Sequence, residues 1–323
     1  MIECSRRTFL QTLASGSALA WSGADAYAST SMATPEPVAT PRPQVDIGRI
    51  ERWPAFESKH VAPRHVDIWL PEGFRPDGSH AVLYMHDGQM LFDPAITWNR
   101  QSWQVHTTAT RLMQAQQVRP FIVVGIWSSG SSRFAEYYPQ GFLQHLPPGP
   151  GRQSLEQAGL GQQPRSDPYL RFLVDELRPA VESRLGTATG LSNTFMAGAS
   201  LGGMISLYGL CRYPQVFGGV AALSTHWLGS LMPGDDMPAP ALAWLQQNLP
   251  PPGRHRIYLD MGSAELDPQR DTGYERVTAL MGSLGFSCPL WKSQLVEGAR
   301  HDEWAWAARL HEPLLHLLEP KAS

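Results

Sequence analysis

Seven short apolar runs, at residues 66–70, 81–85, 121–127, 194–197, 220–223, 256–261 and 291–296, alternate along the chain with stretches of helical spacing. Most are nearly continuous, as strands buried on both faces of a parallel sheet must be; a strand with one wet face would alternate apolar and polar residues. Only 66–70 keeps such an alternation, with Val66, Ile68 and Leu70 apolar. Helices are expected at about 100–117, 167–185, 202–212, 239–249, 271–285 and 302–318. Asp167-Pro168 supplies a capping residue and a first-turn proline for the second of these, and Pro179 should kink or end it. Strand–helix alternation at this spacing predicts an α/β fold, a doubly wound, mostly parallel sheet with helices on both faces. The stretch 140–166, rich in Gln, Gly and Pro, shows no element of its own and reads as a functional or mobile insertion.

The ends of the chain and its composition narrow the classes available. With 42% hydrophobic and 17% charged residues the composition is that of a globular protein. A net charge of -3 with no run of like charges gives no footprint for nucleic acid or an anionic membrane. Neither CxxC nor HExxH occurs, so neither a metal nor another cofactor is expected. Of the three cysteines, Cys4 lies near the N-terminus, which leaves Cys211 and Cys288 as small buried apolar residues first and a bridge second. Arg6-Arg7, a modestly apolar stretch over 8–21 and the Ala26-Tyr27-Ala28 site resemble a twin-arginine export signal. Gln11, Ser15 and Ser17 make that stretch too polar for a lasting membrane span. The expected organisation is a signal over 1–28, a Pro/Ser/Thr-rich linker over 29–45 and a folded domain over 46–323, acting in the periplasm or outside the cell.

One motif carries chemistry. Gly198-Ala199-Ser200-Leu201-Gly202-Gly203 stands between the apolar run 194–197 and a helical segment. A serine between strand and helix on so sharp a turn needs small residues two before and two after it, and its hydroxyl is lifted above the sheet edge. The Leu201 amide then becomes a donor for an oxyanion. A serine hydroxyl is a weak nucleophile and needs a base. In this strand–turn–helix arrangement the base follows the last strand, where His301 alone among the histidines sits in a loop; His311 and His316 fall within the last helix. An acid that orients this base should follow the run 256–261. Glu265 and Asp267 both stand there, whereas Asp260 lies within the strand. The second oxyanion donor should follow the run 81–85, at the amide of Gly88 or Gln89, with His86 and Asp87 bracing that loop.

The segments Tyr84-Met85-His86-Asp87-Gly88-Gln89-Met90-Leu91-Phe92-Asp93, Arg133-x-x-Glu136-Tyr137-x-Pro139, Gly198 to Gly203, and Gly298-Ala299-x-His301-x-Glu303 with Trp306 resemble the putative-esterase branch of α/β-hydrolases. That branch includes esterase D, feruloyl esterases, enterochelin esterases and mycolyltransferases, and the likeness covers roughly 46–318. It implies the α/β-hydrolase fold and a serine esterase acting through a Ser–His–acid triad and an acyl-enzyme. In relatives the acid follows a similar turn at either of two nearby positions, so Glu265 and Asp267 both stay open. Gln89-Met90 departs from the common Gln-Asn pair. The resemblance spans polysaccharide, siderophore and simple-ester substrates, and leaves an acyltransferase with the same triad, or a non-catalytic exported binding protein, as alternatives. Trp98, Trp103, Trp127 and Trp227 lie in or beside segments leading to the catalytic edge. Their rings could stack on a sugar or an aryl acid, or serve as core.

Overall fold

A computed structural model describes residues 40–149, 151–153, 155, 159, 161–225, 227, 238–265 and 273–320. The apolar runs become an eight-stranded sheet: β1 (Arg49–Phe56), β2 (Arg64–Leu70), β3 (Ala81–His86), β4 (Phe121–Ile126), β5 (Thr194–Ala199), β6 (Gly219–Leu223), β7 (Arg256–Gly262) and β8 (Trp291–Val296). Their order is β1-β2-β4-β3-β5-β6-β7-β8. β2 runs antiparallel to both of its neighbours, and every other pairing is parallel. All residues of β3, β4, β5 and β6 are buried, which is why these strands read as unbroken apolar runs.

Successive residues of one strand point to opposite faces, and the core divides accordingly. Val82, Tyr84, Ile122, Val124 and Met196 enter one apolar cluster. Ala81, Leu83, Met85, Phe121, Val123 and Phe195 enter the other. The helices are α1 (Val105–Gln114), α2 (Arg133–Tyr137), α3 (Ser166–Arg171), α4 (Arg178–Leu185), α5 (Leu201–Arg212), α6 (Pro238–Asn248), α7 (Tyr274–Ser283), α8 (Glu303–Arg309) and α9 (His311–Leu317). α5 packs into the first cluster through Met204, Ile205, Leu207 and Tyr208, whereas α1 and α9 pack into the second through Ala109, Leu112, Leu314 and Leu317. Helices therefore cover both faces, and the fold is the expected doubly wound α/β sheet.

Several local expectations are corrected. β1 gave no strand signal, because an edge strand with one neighbour can carry Arg49, Glu51 and Arg52; its register shifts between Trp53 and Phe56, where Ala55 takes φ 45°. Pro179 does not end its helix: a π-helical turn, Phe172–Leu177, joins α3 to α4 ahead of the proline, and Gly186 at φ 54° terminates the run. The described part of the segment 140–166 carries a 3-10 turn over Gln140–His145, with Phe142, Leu146 and Leu155 buried. A Cβ on Gly141 would lie 2.2 Å from the Trp244 indole nitrogen, so this backbone is pressed onto α6.

Cys288 is exposed rather than buried, and it and Cys211 are both free. Burial pushes the Cys211 thiol well above its usual range. The chain is already engaged ahead of residue 46: the Gln44 amide donates to Asp93 and Arg52 donates to the Pro41 carbonyl. Residues 41–323 group as one compact unit. Arg6, Arg7 and the Ala26-Tyr27-Ala28 site lie outside the described residues. Among the described residues no helix is long and apolar enough to cross a membrane.

Candidate active site

Because β3 to β8 are parallel, the loops after β3, β5, β7 and β8 all leave the same carboxyl edge of the sheet, where open α/β sheets bind ligands. Ser200 stands between β5 and α5 with φ 57° and ψ −124°, a backbone region that a side chain rarely adopts. Its N–H donates to the Leu223 carbonyl at 2.9 Å, and its carbonyl accepts from the Gly203 and Met204 amides at 3.1 Å each. The glycines follow from this turn. A Cβ on Gly198 would lie 2.6 Å from the Gly202 backbone, and one on Gly203 would lie 2.1 Å from the Thr225 hydroxyl. Leu201 opens α5, so its amide is among the first-turn donors that a helix cannot satisfy internally.

Ser200 and His301 line one cavity of about 620 Å³. His301 is exposed and meets the Trp306 ring edge-on at 5.1 Å. The next residue, Asp302, caps α8 by accepting the Ala305 amide at 2.9 Å, which fixes the chain just after the histidine. The loops after β7 and β8 are tied together twice. Gly298 N–H donates to the Ser263 hydroxyl at 2.7 Å, and Ala264 N–H donates to the Ala299 carbonyl at 3.2 Å. The backbone of Glu265 closes the 3-10 turn Ser263–Glu265 directly after β7, on the loop bound to that of His301. Asp267 lies outside the described residues. Asp260 is committed elsewhere: it is buried and accepts from Arg309, Tyr258 and the Ser224 amide. Burial raises its pKa, against the pull of Arg309.

The loop after β3 carries both remaining oxyanion candidates, Gly88 and Gln89. Gln89 lines the cavity and Gly88 does not. A Cβ on Gly88 would fall 2.5 Å from the Gly125 carbonyl carbon, so the close approach of β4 requires a glycine here. The Gln89 side chain is held at both ends, donating to the Ser128 hydroxyl at 2.7 Å and accepting the Ser128 amide at 3.1 Å.

His86 and Asp87 are braced. Arg133 donates twice to Asp87, at 2.6 and 2.8 Å, and lies over the Tyr137 ring, whose hydroxyl accepts the Asp87 amide. His86 Nδ1 meets the Tyr169 hydroxyl at 2.8 Å, and burial lowers its pKa to about 4, so the ring is neutral near pH 7. Glu136 accepts both guanidinium nitrogens of Arg64 and the Ser129 hydroxyl. The Arg-x-x-Glu-Tyr segment of the sequence is thus a pair of ionic clamps beneath the cavity.

The opposite wall holds Trp98, Asn99, Gln101, Trp103, Glu303 and Trp306. Asn99 donates to Glu303 at 2.7 Å, and Trp103 and Trp306 pack with centroids 5.3 Å apart. Of the four tryptophans singled out in the sequence, Trp98 and Trp103 reach the cavity. Trp127 donates to buried Asp67 instead, and Trp227 is buried away from the cavity wall. Asn99 and Gln101 carried no sequence signal, since nothing in 94–104 marks a ligand-facing loop. Among the described residues no group of three or more His, Cys, Asp or Glu gathers in a metal-binding arrangement.

Residues 60–317 match the model of the family described as Putative esterase, well over half of the chain. In fold the chain is similar to the enterobactin esterase FES of Shigella flexneri, with a TM-score of 0.59 and 20% identity, covering 85% of this chain and 60% of that one. It is also similar to the ferulic acid esterase AmCE1/Fae1A of Anaeromyces mucronatus, with a TM-score of 0.59, 18% identity and coverage of 87% and 95%. An uncharacterized protein, YbbA of Bacillus subtilis, is 23% identical over 215 residues, 64% of this chain and 72% of that protein. With strand order, elbow and family match in agreement, the chain belongs to the Putative esterase family and is a carboxylic ester hydrolase of the α/β-hydrolase fold.

Proposed function

We propose that this hydrolase works through Ser200, with His301 as general base and an acid from the loop after β7, Glu265 or Asp267, orienting the imidazole. The observation that carries the reading is the strained Ser200 elbow opening into the same cavity as His301. His301 takes the hydroxyl proton as Ser200 Oγ attacks the ester carbonyl, and the amides of Leu201 and of Gly88 or Gln89 receive the developing oxyanion. The C–O bond to the alcohol breaks, His301 gives that oxygen its proton, and the acyl group stays on Ser200. Water, deprotonated by the same histidine, then releases the acid. The twin-arginine-like leader supports export, with the mature enzyme in the periplasm or outside the cell.

An aromatic wall of Trp98, Trp103 and Trp306 favours an ester with a flat ring or a sugar close to the scissile bond. One fold neighbour was crystallised with 2,3-dihydroxy-N-benzoyl-glycine and another in the same fold group with ferulic acid, which supports an aryl acid in the acyl position. The test is labelling by a fluorophosphonate with Ser200→Ala alongside, followed by hydrolysis of acetyl, feruloyl and siderophore esters. Ser200→Ala and His301→Ala should each lower kcat by about 10⁴-fold or more. Unaltered turnover in folded Ser200→Ala protein would end the proposal.

A further inference from the structure

A second cleft, of about 700 Å³, lies on the other side of the His301 loop between β8 and α8. Gln101 and Asp302 belong to the walls of both spaces, so the two meet at this loop. Ala305 and Ala308, one helical turn apart, leave room along α8, and Trp304 projects from the same helix. Trp304 is 43% exposed. Among the described residues the exposed large apolar side chains are Trp98, Leu295 and Trp304. Trp98 faces the cavity of Ser200 and Trp304 faces the second cleft, while Leu295 stands on the other face of β8 from Gln294 and Val296. An indole left open to water inside a concave site is a stacking platform awaiting a ligand.

The chemistry of the first site tells which half of the substrate would reach the second. On the Ser200–His301 reading, His301 protonates the leaving alkoxide, so the alcohol half lies on the His301 side of the scissile bond. The second cleft begins there, walled by Ala299, Arg300 and Asp302. We infer that the cleft between β8 and α8 binds the remote part of the alcohol half, and that this part is a chain of linked sugar rings stacked on Trp304. Gln101, Gln294, Glu297 and Arg300 line the same cleft as Trp304. An alkyl chain would strip water from these groups and return no hydrogen bond, which is costly. A sugar ring offers a C–H face to the indole and hydroxyls to the amides, carboxylate and guanidinium. β8 is the last strand of the sheet, so a chain lying along it meets no further strand.

The test holds the acyl group at acetyl and varies the alcohol. Activity on p-nitrophenyl acetate is measured first, then kcat/KM on acetylated xylo-, cello-, manno- and chito-oligosaccharides of one, three and six rings, and on acetate esters of straight-chain alcohols of matching length. In at least one sugar series kcat/KM should rise with ring number. Trp304→Ala should remove about ten-fold at six rings, equal to about 1.4 kcal/mol, while leaving p-nitrophenyl acetate unchanged. The same kcat/KM at one and six rings in every sugar series, a rise confined to the alkyl series, or equal loss on all substrates in Trp304→Ala would overturn the inference. Absent p-nitrophenyl acetate turnover in folded wild-type protein would instead overturn the serine-esterase mechanism on which the inference rests.

Discussion

Replacing Ser200 by glycine should stabilise the protein while abolishing its activity. Ser200 is held at φ 57° and ψ −124°, and a residue with a side chain forced into so sparse a region costs about 1–3 kcal/mol. Glycine removes most of that cost. Against this, glycine loses more backbone freedom on folding, about 0.5–1 kcal/mol. The proper comparison is Ser200→Ala, which deletes the same hydroxyl but keeps the Cβ and hence the strain. Ser200→Gly should therefore exceed Ser200→Ala by about 1 kcal/mol, near the middle of the range of about 0–2.5 kcal/mol that these two terms leave. In a domain of this size 1 kcal/mol is about 2–4 °C in Tm. Equilibrium urea unfolding and calorimetry of the two inactive variants, side by side, give the number. A Ser200→Gly protein no more stable than Ser200→Ala would refute the strain assigned to the Ser200 elbow.

Other consequences follow from neighbouring contacts. His86 has its pKa lowered from 6.5 to about 4 by burial, so the unfolded chain binds the extra proton between those values; stability is full above pH 6.5 and declines as pH falls toward 4. The loss is about 3 kcal/mol, and His86→Gln should flatten that part of the stability–pH curve; an unchanged slope would refute it. Gly203→Ala should destabilise by about 1–3 kcal/mol, because its Cβ meets the Thr225 hydroxyl at 2.1 Å, and adding Thr225→Ala should recover part of the loss in the same unfolding assay. Asp260→Asn leaves the buried Arg309 guanidinium without its counter-charge and should cost about 3–5 kcal/mol. A cost below about 1 kcal/mol would mean the pair behaves as though it were exposed to water.

What could be read from the sequence follows from what each kind of residue signals. Strands buried on both faces, such as β4 with its run Phe121 to Ile126, announce themselves because every side chain must be apolar. The elbow is equally legible, since Gly198 and Gly203 are dictated by backbone contacts a few residues away in the chain or in the adjoining strand. β1 was invisible because its one neighbour leaves Arg49 and Glu51 free to face water. The packing reason for Gly88 is not legible in the sequence, because the group a Cβ there would strike, Gly125, lies in another strand. Asn99 and Gln101 could not be found at all: polar residues in a loop look alike until the fold sets them opposite Ser200. The acid stays open between Glu265 and Asp267 for a related reason, since both stand within three residues on the same loop and only side-chain placement separates them.

The arrangement also shows how the carboxylates at and near the cavity are held in place. Three acids are paired with guanidinium groups: Asp87, which lines the cavity, with Arg133, Glu136 with Arg64 and Asp260 with Arg309. Each pair is close to neutral as a unit, so its field at the cavity is that of a dipole and falls off faster than that of a charge. Asp302 spends its oxygen on the first turn of α8, where a negative side chain is favoured by the helix dipole, and Glu303 accepts from Asn99. Arg309 reaches further, donating to the Ser224 hydroxyl, which also receives the Trp306 indole N–H. That chain of contacts runs from β7 through α8 to the ring that meets His301 edge-on. The clamp thereby fixes the Trp306 wall that His301 meets in the cavity. Its ionic character therefore matters less for net stability than for holding that wall in one place.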